Sequence, residues 1–127
     1  MNTDRKLAVL DRFFAAIQSA DIDTVKAIYH ADAAIWHNND NAIQSVAQNL
    51  PVLGWVSRHI KGVRYEDVRR TATGDGRILQ QHVLRGTAPN GKPLEVFACI
   101  IFTIDDDGHI TRLDEYLDTG QTAVLRE

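Results

Sequence analysis

The stretch GHITRLDEYLD, residues 108–118, alternates apolar and polar side chains after a turn glycine. This period of two predicts a β-strand with two different faces. Leu113, Glu115 and Leu117 share one face, and because leucines belong in a core, we expect Glu115 to point inward with them. A carboxylate on an apolar face costs free energy unless it is paired or protonated, and burial raises its pKa. Glu115 is therefore a candidate general acid or base, or alternatively a structural partner of an arginine or a backbone donor.

Three turn signals precede this strand and divide the second half of the chain into strand-like segments. They read TGDGR at residues 73–77, APNGKP at 88–93 and DDDGH at 105–109. Asn-Gly and Asp-Gly are strong hairpin dipeptides. We therefore predict four strands joined by three hairpins in an antiparallel meander.

The strand predicted from Leu94 to Ile104 is apolar on both faces. A strand with one solvated face should alternate, so both faces of this one are expected to be covered. The protein core would cover one face and a second subunit the other, which predicts a homodimer formed through the sheet. Cys99 lies in this strand without an activating neighbour in sequence, and we interpret it as a small apolar filler.

The first half of the chain predicts helices. Leu7, Leu10, Phe14 and Ile17 recur at spacings of three and four, which is typical of one helix face, over residues 3–19. A second helix is expected over 21–30, and a third over 45–60, in which a proline is expected to kink or break the first turn. A short strand at 33–37 separates them. Helices first and strands last predict one α+β domain spanning residues 1–127, with the helices on one face of the sheet.

Composition limits the partners. The chain has 14 Lys and Arg against 17 Asp and Glu, a formal charge of −3, which argues against nucleic acid and anionic membrane. The start of the chain has no apolar signal-peptide core, and no apolar run is long enough to span a bilayer. One cysteine excludes an internal disulfide, and we expect a cytoplasmic location.

Candidate site residues lie in two further segments. Trp36 and Asn38 share one face of the short strand, while Ile35 and His37 share the other. Trp36 offers an apolar wall and Asn38 a donor and an acceptor for water or a ligand carbonyl. Trp55 on the third helix could add a second wall. The alternative is a core tryptophan on a strand that ends in an Asx-turn.

The segment RILQQHVLRG, residues 77–86, places Ile78, Gln80, His82 and Leu84 on one face. If that face points inward, Gln80 and His82 join Glu115 there, and His82 could shuttle a proton or orient the carboxylate. The alternative is a structural histidine. The five histidines form no close pair of the H-x-x-x-H kind, and no phosphate-binding glycine motif occurs, so no metal and no cofactor are expected.

With these elements in place, the chain resembles the nuclear transport factor 2-like superfamily over nearly its whole length. The ending GHITRLDEYLD resembles the last strand of the SnoaL-like and limonene epoxide hydrolase-like branches. The resemblance implies a cone-shaped, strongly curved mixed β-sheet wrapped around N-terminal helices, with an internal apolar pocket. In the hydrolase branch an acid of the last strand is catalytic, and the matching residue here is Glu115.

Other family positions match in part. The hydrolase branch has a Tyr-x-Asn pair on the first strand, where this chain has Trp36 and Asn38, and an Arg-x-Asp pair where this chain has Gln80 and His82. Ketosteroid isomerases share the fold and use a tyrosine of the first helix, which this chain lacks.

The leading hypothesis is thus an enzyme doing cofactor-free acid–base chemistry, namely isomerisation, cyclisation or hydration, on a small apolar metabolite. The expected catalytic residues are Glu115, His82 and Asn38, and the expected ligand-binding residues are Trp36, Gln80, Trp55 and Leu113. The alternatives are a small-ligand carrier or sensor of the same fold and a protein-interaction domain that uses the outer sheet face.

Overall fold

The computed structural model describes residues 1–127. Its elements follow the predicted order of helices before strands. They are α1 (Thr3–Gln18), α2 (Ile22–Ile28), β1 (Tyr29–His37), β2 (Ala42–Gln44), α3 (Val46–His59), β3 (Lys61–Ala72), β4 (Ile78–Thr87), β5 (Pro93–Ile104), β6 (Ile110–Leu117) and a C-terminal 3₁₀ helix (Thr119–Arg126).

The six strands form one curved, unclosed sheet in the order β2-β1-β6-β5-β4-β3. Strands β3 to β6 are antiparallel neighbours in sequence, which confirms the predicted meander. Strand β1 lies against β6 in parallel, and the short strand β2 extends that edge; neither feature was predicted. The predicted α+β class and curved mixed sheet are confirmed.

The core fills the space between the helices and the inner face of the sheet. Phe13 and Phe14 of α1 are buried there, with their rings edge-on to Phe102 of β5 at centroid distances of 5.9 and 5.8 Å. Leu10 and Ile17 of the same helix face are buried as well, so the predicted apolar stripe of α1 is its packing face. This packing leaves the far end of the inner face, beyond the first helix, to be covered by α3 and the chain terminus.

Local signals explain where the helices begin. Asp21 caps α2 through its carboxylate, and Ser45 and Gln48 form the predicted capping box of α3. Helix α3 runs continuously from Val46 to His59 with Pro51 inside it, so of the expected kink or broken first turn the break does not occur. No helix of the structure has the length and apolar character needed to cross a membrane.

Candidate active site

Five residues form a continuous row across the inner face of the sheet. In the strand register His37 lies opposite Glu115, Glu115 opposite Ile100, Ile100 opposite Gln80, and Gln80 opposite Arg70. Ile100 and Gln80 are 4% and 0% exposed, so the row faces the interior. Strand pairing alone therefore places four polar side chains on one line beneath the helices.

His37 and Glu115 form the polar pair at one end of this row. His37 Nε2 lies 3.0 Å from Glu115 Oε1, and the two side chains are 23% and 21% exposed. The hydrogen bond to Glu115 raises the pKa of His37; burial opposes that rise, and the negative charges of Glu115 and Asp40 add to it. The pair thus holds a carboxylate and an imidazole in direct proton-transfer distance.

Gln80 and His82 of β4 lie on the same inner face as this pair, with strand β5 between them and Glu115, as the alternation of their strand predicts. Arg70 Nε donates to Gln80 Oε1 at 2.7 Å, and Gln80 Nε2 lies 2.8 Å from His82 Nδ1. His82 is 4% exposed, and burial lowers the pKa of its imidazole; the charge of Arg70 lowers it further, and that of Glu115 opposes. His82 is therefore a neutral imidazole at neutral pH.

A cavity of about 270 Å³ opens next to these groups. Its polar lining includes His37, His82 and Glu115. Its walls are largely aliphatic and come from α3, the end of the meander and the C-terminal helix: Val52, Val56, Ile60, Leu84, Leu94, Val96, Leu117 and Leu125. The volume lies just below the roughly 300–1,000 Å³ of typical small-molecule sites.

A second, smaller cavity of about 50 Å³ continues inward from the same pair, since His37 and Glu115 line it too. Tyr29 and Tyr65 reach it, and the Tyr29 hydroxyl donates to Asn49 Oδ1 at 3.0 Å. Burial first, and then the charge of Glu115, raise the pKa of both phenols. Both tyrosines are therefore protonated donors near the carboxylate.

The structure places Leu113, Gln80 and His82 on the same inner face as Glu115. Leu113 is buried and lines the smaller cavity. Glu115 is bonded to a histidine, and no hydrogen bond joins it to His82, although both line the larger cavity.

Trp36 and Asn38 lie on the opposite side of β1 from this cavity. Because β1 pairs in parallel with β6, Ile35 lies opposite Leu113 in the core, and the face of Ile35 is the inner one. The Trp36 ring instead packs edge-on against exposed Tyr116, at a centroid distance of 5.1 Å. The expectation that Trp36 forms a wall of this cavity is corrected by that pairing.

The Asn38 amide is engaged with the backbone. Its Nδ2 donates to the Leu117 carbonyl at 3.3 Å, and its Oδ1 accepts from the Leu117 N–H at 3.1 Å. The side chain thereby continues the β1–β6 ladder past the end of the strand. Trp55 is half-exposed, stacks on His59 of the same helix at 4.6 Å and contributes to none of the cavities, so the expected second wall is also corrected.

Sequence reasoning missed His37, Tyr65 and Arg70 as members of the site. Alternation identified the two faces of β1 but did not decide which one points inward. The signal for His37 was its neighbour Ile35, a β-branched residue that fits a buried strand face better than an amphipathic tryptophan does. Arg70 and Tyr65 lie in β3, whose alternation is interrupted by a bulge between Glu66 and Arg69.

The outer sheet face carries a shallow depression of about 820 Å³. Its lining includes Phe97 and Tyr116, which are 52% and 48% exposed, together with Cys99 and the buried Val83. Two exposed aromatic side chains therefore lie on this face of the sheet. No group of three or more His, Cys, Asp or Glu side chains is arranged to hold a metal ion.

Sequence comparison finds one family that matches most of the chain. A family model described as the SnoaL-like domain matches residues 10–113, a stretch that ends two residues before Glu115. No curated protein has a significantly similar sequence.

Several solved structures share the fold. A candidate polyketide cyclase from Xanthomonas campestris pv. campestris has a TM-score of 0.83 and 20% identity, with 100% of both chains covered. A candidate isomerase from Bacillus subtilis has a TM-score of 0.81 and 14% identity, covering 95% of this chain and 92% of the other. An LEH-like epoxide hydrolase from M. tuberculosis has a TM-score of 0.78 and 22% identity, covering 98% and 92%. At these identities the likeness establishes the fold alone.

Proposed function

The chain belongs to the SnoaL-like domain family, and from that premise we propose that it is an enzyme of cofactor-free acid–base chemistry acting on a small, mostly apolar molecule. The substrate would carry at least one carbonyl group, and a cyclisation substrate would carry two. The observation that carries the proposal is the His37–Glu115 pair, 3.0 Å apart in a cavity that combines aliphatic walls with further polar groups from Asn39, Asp40, Gln44 and Thr122.

Glu115 is the proposed proton-transfer group. Its carboxylate takes a proton from a carbon next to the substrate carbonyl. The electron pair of the broken C–H bond forms a C=C bond, and the π pair of the carbonyl moves onto its oxygen. In a substrate with a C=C bond next to that carbon, return of the proton at the far end of the conjugated system gives an isomer. In a substrate with a second carbonyl, attack of the intermediate carbon on that carbonyl gives a ring, and the proton held by Glu115 passes to the new alkoxide. Both outcomes balance without a redox partner, which agrees with the expectation that no cofactor is required.

His37 and His82 have different proposed roles beside Glu115. His37 holds the carboxylate in place through its Nε2 and stabilises the proton-accepting oxygen by a charge-assisted bond. His82 lines the same cavity from β4 and would donate a hydrogen bond to the substrate oxygen. Asn38 would act at a distance, since its amide fixes the end of β1 that carries His37.

The three solved structures support this class of chemistry by their names. They are named as a polyketide cyclase, an isomerase and an epoxide hydrolase, and general acid–base catalysis is one way in which reactions of these kinds proceed. Hydration of an epoxide by this chain is less favoured because Gln80 and His82 occupy the two positions of β4 at which the hydrolase branch has an Arg-x-Asp pair. Isomerisation or cyclisation is therefore the proposed reaction.

A ligand carrier or sensor is the second candidate, and the aliphatic lining of the cavity favours it. The two functions differ in whether bound molecules exchange hydrogen. A panel of small cyclic ketones in D₂O, followed by proton NMR, separates them: an enzyme replaces hydrogens next to the carbonyl with deuterium, whereas a carrier shifts the ligand signals without exchange. Exchange that is abolished in Glu115→Gln supports the enzyme, and binding without exchange across the panel supports the carrier.

We also propose that two copies associate through the outer sheet face. Phe97 and Tyr116 are both about half exposed there, and the partly buried Cys99 lines the same depression. Exposed apolar surface of this kind marks an interaction site. A second copy would cover the outer face of β5, whose two-sided apolar pattern first predicted the dimer.

A further inference from the structure

A line of hydrogen bonds runs from the protein surface to the cavity. Asp11 Oδ1 on α1 accepts from Arg70 Nη1 at 2.5 Å, Arg70 Nε donates to Gln80 Oε1 at 2.7 Å, and Gln80 Nε2 meets His82 Nδ1 at 2.8 Å. Gln80 is fully buried and His82 nearly so, while Asp11 is exposed. The line thus joins a solvated carboxylate to a buried imidazole through two side chains.

The chemistry of the first donor fixes the direction of every bond in the line. A guanidinium can only donate, so the Gln80 atom facing Arg70 is the carbonyl oxygen. The other end of the Gln80 amide is then the NH₂ group, which also can only donate. His82 Nδ1 is therefore an acceptor without a proton, and the single proton of the neutral ring resides on Nε2.

The Nε2 atom of His82 has no hydrogen-bond partner within the protein, since the only bond of that ring involves Nδ1. No fully buried side-chain nitrogen or oxygen in the structure lacks a partner, so Nε2 borders open space. His82 lines both the 270 Å³ cavity and the 820 Å³ depression, and of the two only the 270 Å³ cavity also contains Glu115 and His37. The rings of Phe14 and Tyr65 pack edge-on against the imidazole at centroid distances of 5.6 and 5.0 Å and restrict its rotation.

The charged groups around His82 act in opposite directions. Burial is the main reason that the pKa of His82 is lowered; the charge of Glu115 on β6 opposes it, and the charge of Arg70 on β3 lowers the pKa further. Tyr65 on β3 is a protonated phenol, and His37 on β1 faces Glu115 directly. Burial adds to the effect of Arg70, so the ring stays neutral with its Nε2 proton in place.

We propose that Arg70 and Gln80 are positioning residues that hold His82 as a neutral imidazole with its Nε2–H directed into the cavity as a fixed hydrogen-bond donor. The inference rests on the proposed function for its chemical purpose: the donor stabilises the oxygen of the substrate as Glu115 removes the proton. The Nε2 proton stays on His82 throughout, because the donation is a hydrogen bond and the transferred proton goes to Glu115.

The protonation state of His82 can be read directly by long-range ¹H–¹⁵N NMR on protein labelled at histidine, since a protonated and an unprotonated ring nitrogen differ greatly in ¹⁵N shift. The wild-type protein should show Nδ1 unprotonated and Nε2 protonated for His82 at neutral pH. In Gln80→Glu a carboxylate replaces the NH₂ donor, so Nδ1 should gain a proton and the proton affinity of His82 should rise by at least about tenfold. The matched control is Gln81→Glu, the same change one residue along on the exposed face, which should leave the His82 signals unchanged.

Arg70→Met is the second variant, because the buried Gln80 side chain tolerates change less readily than Arg70. Methionine has no donor, so this variant removes the group that fixes the Gln80 amide, and His82 should show a mixture of the two neutral forms and a higher proton affinity. A wild-type His82 with its proton on Nδ1, or a folded Arg70→Met protein with an unchanged His82 spectrum, overturns the inference. Neither spectrum requires a substrate, so the positioning inference can succeed even if no turnover is found, and the proposed function can fail separately.

Discussion

His37 Nε2 and Glu115 Oε1 lie 3.0 Å apart across the one parallel strand pair of the sheet. Strand β1 follows the second helix and β6 is the last strand of the chain. The two residues are therefore far apart in sequence and come into contact only in the folded protein. Their contact makes the site depend on the pairing at the β1–β6 boundary. Both cavities of the inner face share this pair.

The pair predicts a pH-dependent part of the stability. The pKa of His37 is higher in the folded protein than in the unfolded chain, because it donates to Glu115. The folded state therefore binds the proton more tightly, and the stabilisation is complete below a pH of about 6.5 and fades as the pH rises through the folded pKa. Thermal unfolding of wild type and His37→Gln should show a larger difference in Tm at pH 5.5 than at pH 8.5.

His82 contributes with the opposite sign, since its pKa is lowered by burial. Its unfavourable protonation reduces stability as the pH falls below about 6.5. Both proteins of the His37 comparison retain His82, so its effect cancels in the difference. A difference in Tm that is equal at the two pH values would contradict the assignment of a raised pKa to His37.

The aromatic core predicts where the fold is most sensitive. Phe102 is fully buried between Phe13 and Phe14, so Phe102→Ala should lower the free energy of unfolding by about 3–5 kcal/mol. Phe97→Ala, on the same strand but half exposed, should cost far less within one subunit. Urea denaturation of the two variants at equal concentration is the measurement, and similar losses would contradict the assigned faces of β5.

Local sequence patterns predicted most of the fold because strand alternation, tight turns and helix caps each depend on interactions between residues close together in the chain. Alternation along β4 and β6 placed Gln80 and Glu115 inward, and the Asn-Gly and Asp-Gly turns fixed the hairpins of the meander. The capping box at Ser45 located the start of α3. Each of these features depends on residues only a few positions apart.

The parallel pairing of β1 with β6 could not be predicted from local patterns, because the two strands are separated in sequence by β2, α3 and the other three strands of the meander. Without this pairing, the sequence pattern of β1 does not distinguish its two faces, and it predicts a site around Trp36 instead of His37. The same limit explains Arg70, which enters the site through the register of β3 on β4 after a bulge. Whether His37 and Arg70 belong to the site therefore depends on the register between strands, which short sequence patterns do not encode.

The proposed dimer predicts a change of mass on altering the outer face. Phe97 is half exposed beside Tyr116, so Phe97→Asp places a charge in the proposed interface, where its desolvation is costly. Light scattering at tens of micromolar, on the order of weak-dimer dissociation constants, should give a dimer for wild type and a monomer for this variant. Trp55→Asp on α3 is the matched control and should remain dimeric; a monomeric wild type would contradict the proposal.

The proposed donor role of His82 predicts an intermediate loss of activity. His82→Ala removes one hydrogen bond to the substrate oxygen but leaves Glu115 and its partner in place. Hydrogen exchange on the best ketone of the panel should fall by about 10- to 100-fold, less than for loss of the base. A loss equal to that of Glu115→Gln would instead make His82 the base.

Replacement of Glu115 by glutamine tests the central claim most directly, because it keeps the shape of the side chain and removes its ability to take a proton. The cavity should still bind an apolar ketone, while hydrogen exchange in D₂O falls by about 100-fold or more relative to wild type. Glu95→Gln is the control, since it makes the same chemical change at an exposed position of β5. Loss of exchange in a folded Glu115→Gln protein that still binds the ketone, with full exchange in Glu95→Gln, is the predicted result. Full exchange in a folded Glu115→Gln protein would contradict the account.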